Sequence, residues 1–293
     1  MERRFYTLDV FTTTRFEGNP LAVVTDGDGL SERKMLAIAR EMNLSETVFV
    51  QKPTEDRALA RLRIFTTQEE LKLAGHPVVG TWFLLAELGV VPAQEGHVRI
   101  LQQTGAGILP VEIRFHDGRP EQVTMTQKDA AFRPARVKKR ALAAALGISL
   151  KDFDPKLELE FVSTGIFNLM VPLRNRATLG KIEMNMIELR RVLGNHGTMA
   201  YCFALAPSDK AFARGMLPWE LYEDAATGSA AGSCGAYLMR HGRLAAGRTL
   251  RILQGVEMGR PSQIEVEVSQ SGKKIVPRVS GAAVKVFEGT IRT

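Results

Sequence analysis

One feature of this chain occurs twice, and both halves are arranged around it. Ala74-Gly75-His76-Pro77-Val78-Val79-Gly80-Thr81 runs into the apolar stretch Trp82-Phe83-Leu84-Leu85-Ala86. Ala226-Thr227-Gly228-Ser229-Ala230-Ala231-Gly232-Ser233 runs into Cys234-Gly235-Ala236-Tyr237-Leu238-Met239. Each copy reads as a tight glycine turn feeding the N-terminus of a buried helix. Pro77 suits the opening position of the first helix, where its missing N–H costs nothing. Thr227 and Ser229 are residue types that cap the free donors of the second. Gly89 stops the first helix, and His241-Gly242 ends the second as a cation and a glycine should.

The flanks repeat as well. Thr47-Val48-Phe49-Val50 and Ala60-Arg61-Leu62-Arg63-Ile64-Phe65 precede the first turn; Tyr201-Cys202-Phe203-Ala204-Leu205 and Ala211-Phe212-Ala213-Arg214-Gly215-Met216 precede the second. Both halves read strand, strand, acidic-apolar loop, glycine turn, apolar helix, which an internal duplication explains most economically. Two homologous half-domains facing each other would aim two helix N-termini at one shared cleft. Exposed N–H groups and two positive dipole ends would make that cleft an anion site, most simply for a substrate carboxylate.

Composition narrows the class. A chain of 293 residues, 45% apolar and 24% charged, has the length and balance of a soluble protein with two ordinary cores. No apolar run approaches the ~20 residues that a membrane-spanning helix needs. Met1-Glu2-Arg3-Arg4-Phe5 lacks a signal core and leads straight into strand-like sequence, so the expected location is cytoplasmic, with no membrane partner. Cys202 and Cys234 lie in apolar stretches and read as buried free thiols. With five histidines scattered along the chain (His76, His97, His116, His196, His241) they give no metal-ligand spacing, so no metal is expected. The net charge is +7, and its one dense basic run, Arg136-Val137-Lys138-Lys139-Arg140, has no interleaved aromatics. It reads as a solvated helix face rather than a nucleic-acid patch, while the positive balance modestly favours an acidic substrate.

In order, Phe5 to Phe11 alternates as an opening strand, Glu17-Gly18-Asn19-Pro20 turns, and Leu21 to Val24 is a second strand. Ser31 caps a helix carrying apolar residues at helical spacing from Lys34 to Met42. Glu46 follows, where that helix has ended and the strand Thr47 to Val50 begins. A carboxylate there is either a solvated loop residue or one facing a pocket, and composition alone favours solvation. Strands are expected around His97–Leu101, Ile108–Phe115 and Val123–Gln127, with Asp117-Gly118 as a hairpin turn and Phe132-Arg133-Pro134 as a crossover. Ala141 to Ala145 continues a helix closed by Gly147. Glu158–Val162 and Asn168–Val171 read as strands, Ala177–Met186 is weakly patterned, and Ile187–Leu193 is helical. Ile252-Leu253-Gln254-Gly255, Ile264–Val268 and Ala283–Phe287 supply the last strands.

The architecture inferred is α+β: two pseudo-symmetric half-domains, each a mostly antiparallel sheet wrapped around a central helix. Residues 1–127, completed by the C-terminal strand 280–293, form one half. Residues 128–279 form the other, and the active-site cleft is expected between them.

With those residues laid out, a family resemblance is legible. Glu17-Gly18-Asn19-Pro20-Leu21-Ala22-Val23-Val24, Asn43-Leu44-Ser45-Glu46-Thr47, Glu70-Leu71 through Ala74-Gly75-His76-Pro77, and Glu223-Asp224 through Thr227-Gly228-Ser229-Ala230 resemble the phenazine biosynthesis isomerase (PhzF-like) family. Gln254-Gly255 and Met258-Gly259-Arg260-Pro261-Ser262 are similar to its late motif, and the match runs from about Tyr6 to Gly289. The resemblance implies a diaminopimelate epimerase-like fold, no cofactor, homodimerisation, and proton-moving chemistry on a small carboxylic acid. The family's reference substrate is trans-2,3-dihydro-3-hydroxyanthranilate. It implies Glu46 as the proton-shuttling carboxylate, with His76 and Asp224 as further catalytic groups. Ser229, Asn19 and the backbone N–H groups near Gly75 and Gly228 would bind substrate. Lys72-Leu73 and Val78 depart from the family pattern beside the first turn, where substrate shape would be set.

Each site residue also has a plainer reading. His76 can cap its turn, Asp224 can favour a helix dipole, Ser229 can cap a helix, and Asn19 can simply form a turn. Two alternatives to the isomerase stand beside it. One is a racemase or epimerase of the same fold, whose two thiols would occupy the places of His76 and Ser229. The other is a non-catalytic protein that binds or interacts through the same pocket. An unperturbed glutamate, of pKa about 4.3, is a weak base at neutral pH, so the isomerase reading requires burial to raise Glu46.

Overall fold

The computed structural model describes residues 1–293. The first elements in chain order are β1 (Glu2–Val10), β2 (Asn19–Val24), α1 (Glu32–Met42), β3 (Glu46–Gln51), β4 (Ala60–Phe65), β5 (Glu70–Leu71), α2 (Gly75–Glu87), β6 (Gly96–Thr104), β7 (Gly107–His116) and β8 (Arg119–Thr126). Next come β9 (Ala131–Pro134), α3 (Lys139–Leu146), β10 (Glu160–Ser163), β11 (Phe167–Leu173), α4 (Arg176–Gly180), α5 (Met186–Leu193), β12 (Met199–Ala206), β13 (Lys210–Leu217) and β14 (Tyr222–Asp224). The chain closes with α6 (Gly228–Arg240), β15 (Thr249–Gln254), β16 (Ser262–Ser271), β17 (Lys274–Gly281) and β18 (Ala283–Arg292). It divides into two compact units, Met1–Met125 with Ser280–Thr293, and Thr126–Val279.

In the first unit β1 pairs antiparallel with both β18 and β2, and β2 runs parallel to β3 after the connection through α1. Strand β3 is antiparallel to β4, which carries β5 antiparallel and β6 parallel; β6, β7 and β8 complete a meander. Helix α2 is apolar on every side, and such a helix must be covered on every side. His76 through Ala86 are all buried. Gly80 is required by this packing, since a Cβ there would fall 2.6 Å from Val10 Cγ2 and 2.7 Å from Leu21 Cδ2. The fully buried Trp82 donates from Nε1 to Gln102 Oε1 at 2.7 Å, which satisfies its one polar atom. Helix α1 is amphipathic and buries Met35, Ile38 and Ala39 against Val24, Phe49 and Phe65. Ser31 accepts from Lys34 N and Asn43 closes the helix in the left-handed region.

The second unit repeats those pairings one for one. Strand β10 is antiparallel to β9 and β11, β11 runs parallel to β12, and β12 is antiparallel to β13. Strand β13 carries β14 antiparallel and β15 parallel, and β15 is antiparallel to β16. Between β14 and β15 lies α6, buried from Ala230 through Met239. Gly235 lets it approach the sheet, because a Cβ there would lie 2.6 Å from Val266 Cγ1. A separate core of Leu142, Leu146, Leu169, Leu189 and Leu193 packs α3 and α5 on the opposite side of β11 and β12 from α6.

The correspondence reaches single residues. Arg63 stands opposite Phe49 on β3, and Arg214 opposite Cys202 on β12. Each arginine makes a bidentate ion pair two rungs along the ladder: Arg63 with Glu70 at 2.7 and 2.5 Å, and Arg214 with Glu223 at 2.9 and 2.7 Å. Gly105 lies where a Cβ would meet Lys72 Cα at 2.9 Å, and Gly255 where one would meet Ala225 O at 2.7 Å. Counted from the turn glycines, Leu71 corresponds to Asp224, Ala74 to Thr227 and His76 to Ser229. Counted along the ladders, Glu46 corresponds to Met199.

Three local readings are corrected. Phe132-Arg133-Pro134 is not a bare crossover but part of β9, paired with β10; its proline closes the strand, where the residue before it is extended anyway. The weakly patterned stretch contains α4, started by Asn175, whose side chain accepts from Thr178 N. Pro77 is the third residue of α2 rather than the first, still within the turn whose N–H groups have no helical partner. No helix is long and apolar enough to cross a membrane.

Candidate active site

Glu46 opens β3 opposite Leu21 of β2, and its side chain is only 15% exposed. The solvated reading that composition favoured is thereby overturned. Burial raises its pKa from 4.5 to about 7, opposed in part by a hydrogen bond from Ser45. His76, second residue of α2, brings Nε2 to 3.3 Å from Glu46 Oε2. The two atoms are close enough for an ion pair but are not aligned as a hydrogen bond, and Glu46 Oε2 is buried without one.

Asn19 supports this pair from β2. Its Nδ2 lies 3.5 Å from His76 Nδ1, and its Oδ1 lies 3.5 Å from the Ser45 hydroxyl. An amide nitrogen can only donate, so with the amide in this orientation Nδ1 accepts and the ring proton lies on Nε2, the side of Glu46. Gly18 sets Asn19 at the head of its strand: it adopts φ +68°, and a Cβ there would fall 2.4 Å from Val10 O. The Glu-Gly-Asn-Pro turn thus has two jobs, a close backbone approach and an amide presented to a histidine. The N-terminus of α2 at Gly75 carries no side-chain cap.

In the second unit Asp224 ends β14, buried, and its Oδ2 accepts from Thr227 Oγ1 at 2.5 Å. This corrects the capping role expected of Thr227. It is the N-cap residue of α6 by position, but its hydroxyl is turned to Asp224 and caps no N–H. Helix α6 therefore begins at Gly228 without a side-chain cap, like α2 at Gly75. The Ser229 carbonyl accepts from Thr164 Oγ1 at 3.2 Å, and its side chain is half-buried. The site residues of the first unit, Asn19, Glu46, Gly75 and His76, are thus brought together around one carboxylate. Those of the second, Asp224, Gly228 and Ser229, gather at the head of α6.

Sequence reasoning left three participants without a role: Ser45, Tyr201 and Gln254. Gln254-Gly255 was visible as a motif, but nothing in a glutamine at a strand end says that it is fully buried among polar groups. The cysteines are sealed in the core and burial holds both thiols protonated, Cys202 being pushed up to about 12. Of the scattered histidines, His116 meets Glu95 and Asp117 at the β7–β8 hairpin, where all three side chains are exposed.

The family model for phenazine biosynthesis-like proteins (PhzC-PhzF) matches residues 8–289. The chain belongs to that family. A PhzC-PhzF relative from Pseudomonas aeruginosa, named trans-2,3-dihydro-3-hydroxyanthranilate isomerase, is 35% identical over 98% of each chain. The crystal structure of the Bacillus anthracis PhzF-family protein superposes with a TM-score of 0.90 at 28% identity, covering 100% of both chains. A probable proline racemase from Agrobacterium radiobacter superposes at 0.67 with 14% identity, over 99% of this chain and 93% of that one, a likeness of fold alone. The fold is the diaminopimelate epimerase-like one, and this PhzC-PhzF protein is an isomerase.

Proposed function

We propose that the protein is a cofactor-independent isomerase that moves a proton between two carbons of a small carboxylic acid, with Glu46 as the single acid–base group. One observation supports this most directly: a buried glutamate of pKa about 7 beside His76, in a family whose relatives are isomerases. A carboxylate of that pKa is a competent base at neutral pH and, once protonated, a competent acid. The ionised Glu46 takes a proton from carbon, and the C–H electrons move into the adjacent π-system. The protonated Glu46 then returns that proton to a second carbon on the same face. No atom is gained or lost.

In this reading the uncapped N-terminus of α2 at Gly75, beside Glu46, binds the substrate carboxylate, and Asn19 keeps His76 in the tautomer that donates toward Glu46. Gly228, Asp224 and Ser229 of the second unit are the further substrate-binding groups proposed. The substrate to try first is trans-2,3-dihydro-3-hydroxyanthranilate, for which the Pseudomonas aeruginosa relative is named. A two-thiol racemase has no support in the thiols, which are buried and protonated.

The test is proton NMR of that compound in deuterated buffer with wild type and with Glu46→Gln. Conversion by wild type alone supports the reading; deuterium enters the product only to the extent that the Glu46 proton exchanges with solvent before it is returned. Equal turnover by both would remove Glu46 from the proton transfer, and turnover by neither would dismiss this substrate.

A further inference from the structure

The head of α6 contains a buried amide whose every polar contact is fixed in direction. Gln254 is fully buried at the end of β15. Its Oε1 accepts from the Thr227 backbone N–H at 3.3 Å, a group that can only donate. Its Nε2 donates to the Asp224 carbonyl at 2.9 Å, a group that can only accept. These two backbone contacts fix the orientation of the amide independently of each other. The Tyr201 hydroxyl supplies a second donor to Oε1 at 3.0 Å. The remaining Nε2 hydrogen points at Thr227 Oγ1, 3.0 Å away.

That last bond decides where the threonine proton goes. A hydroxyl has one hydrogen, and an Oγ1 already accepting from Gln254 has its own hydrogen left to give. The hydrogen is given to Asp224 Oδ2, which lies within hydrogen-bond distance. Gly215 keeps the space open, since a Cβ there would lie 3.0 Å from both Gln254 Nε2 and Thr227 Oγ1. The duplicated half has no such device: Thr104 stands where Gln254 does, Ala74 where Thr227 does, and Leu71 where Asp224 does. The network therefore occurs in one half only, the half that has an acid at the Asp224 position.

We infer that Gln254 is a positioning residue acting through Thr227: it locks the threonine hydroxyl onto Asp224, holding that group as an oriented carboxylate and leaving the N-terminus of α6 uncapped for a ligand. The inference rests on the proposed reading for its catalytic consequence, but its structural content can be read on the protein alone.

The experiment uses the full chain. A buried hydroxyl held between a fixed donor and a carboxylate is shielded from exchange and gives an observable proton resonance, assigned as the signal that Thr227→Val removes. The resonance is expected to disappear or collapse into rapid exchange in Gln254→Met, and equally in Gln254→Asn, whose shorter side chain cannot reach Thr227. Tyr201→Phe, which leaves both Nε2 hydrogens in place, should retain it. An unchanged resonance in a folded Gln254→Met or Gln254→Asn protein would overturn the inference. In turnover, Gln254→Asn and Thr227→Val should each lower kcat about tenfold, and the double variant should fall no further, because both act through one hydroxyl. Additive losses would also overturn it. If wild type turns over no substrate, the proposed activity fails while the resonance still decides the role of Gln254.

Discussion

Glu46 Oε2 lies 3.3 Å from His76 Nε2, and no well-aligned hydrogen bond joins them. A carboxylate stabilised by a strong hydrogen bond becomes a poor base; one merely buried becomes a better one. The pair has the second character, since desolvation is the larger influence on Glu46 and raises its pKa to about 7. A proton acceptor kept in reserve is what the proposed chemistry requires.

Turnover should therefore rise with pH through about 7, as Glu46 ionises. A pH–kcat/KM profile measured from pH 5 to 9 should show an ascending limb with that midpoint. Glu46→Gln should lose about 10²- to 10⁴-fold in kcat, the usual contribution of a positioned base. Glu46→Asp should recover part of this, because it restores the group at a longer reach.

The same group makes stability depend on pH in an unusual direction for an acid. A raised carboxyl binds its proton more tightly in the folded state, so its contribution is fully present below pH 4.5. It is lost as pH rises through about 7. The shift corresponds to at most ~3 kcal/mol. Urea unfolding of wild type and Glu46→Gln at pH 5 and pH 8 should show the variant gaining on wild type at pH 8. Equal differences at the two pH values would contradict the buried-carboxyl account.

Much of this was legible in the sequence, and the limits were physical. The two glycine turns announce themselves because tight turns and buried helix starts restrict composition, and the duplication followed from their flanks. Glu46 was legible only through the family motif, since a glutamate after an asparagine-capped helix has the same composition whether solvated or enclosed. Its enclosure depends on His76, thirty residues later, and on Asn19, twenty-seven earlier. Thr227 was misread for a related reason. Its cap position is local, but its hydroxyl answers to Asp224 and Gln254, and the second of these comes from another strand.

The tautomer of His76 gives a spectroscopic test of the Asn19 contact. In wild type, 15N shifts of the ring should report a protonated Nε2 and an unprotonated Nδ1, because the Asn19 amide donates to Nδ1. Asn19→Asp replaces that donor with an acceptor, which favours a proton on Nδ1. The ring nitrogens should exchange character in this variant, and kcat should fall. Unchanged 15N shifts would show that some other contact sets the tautomer.

The duplicated Arg–Glu clamps test how environment sets the worth of one geometry. Arg214 and Glu223 are 8% and 10% exposed, and Arg214 also donates to the carbonyls of Leu179 and Ile182. Arg63 and Glu70 are 14% and 29% exposed. Removing one partner of a buried pair strands the other charge, at a cost of about 3–5 kcal/mol, whereas an accessible pair contributes about 1 kcal/mol or less. Arg214→Met should therefore destabilise the protein several times more than Arg63→Met in urea titrations. Matching losses would mean that strand anchoring, common to both clamps, outweighs desolvation.

Thiol accessibility separates the isomerase from a two-thiol mechanism. Cys202 and Cys234 are fully buried, and burial disfavours both thiolates, the reactive form. A disulfide reagent at pH 8 should titrate neither thiol in the native protein and both after denaturation. Cys202→Ala and Cys234→Ala should retain kcat within about threefold, with stability losses of roughly 1 kcal/mol or more from the missing core atoms. Complete inactivation of either folded variant would instead make the thiol part of the chemistry, and the single-carboxylate mechanism at Glu46 would have to be given up.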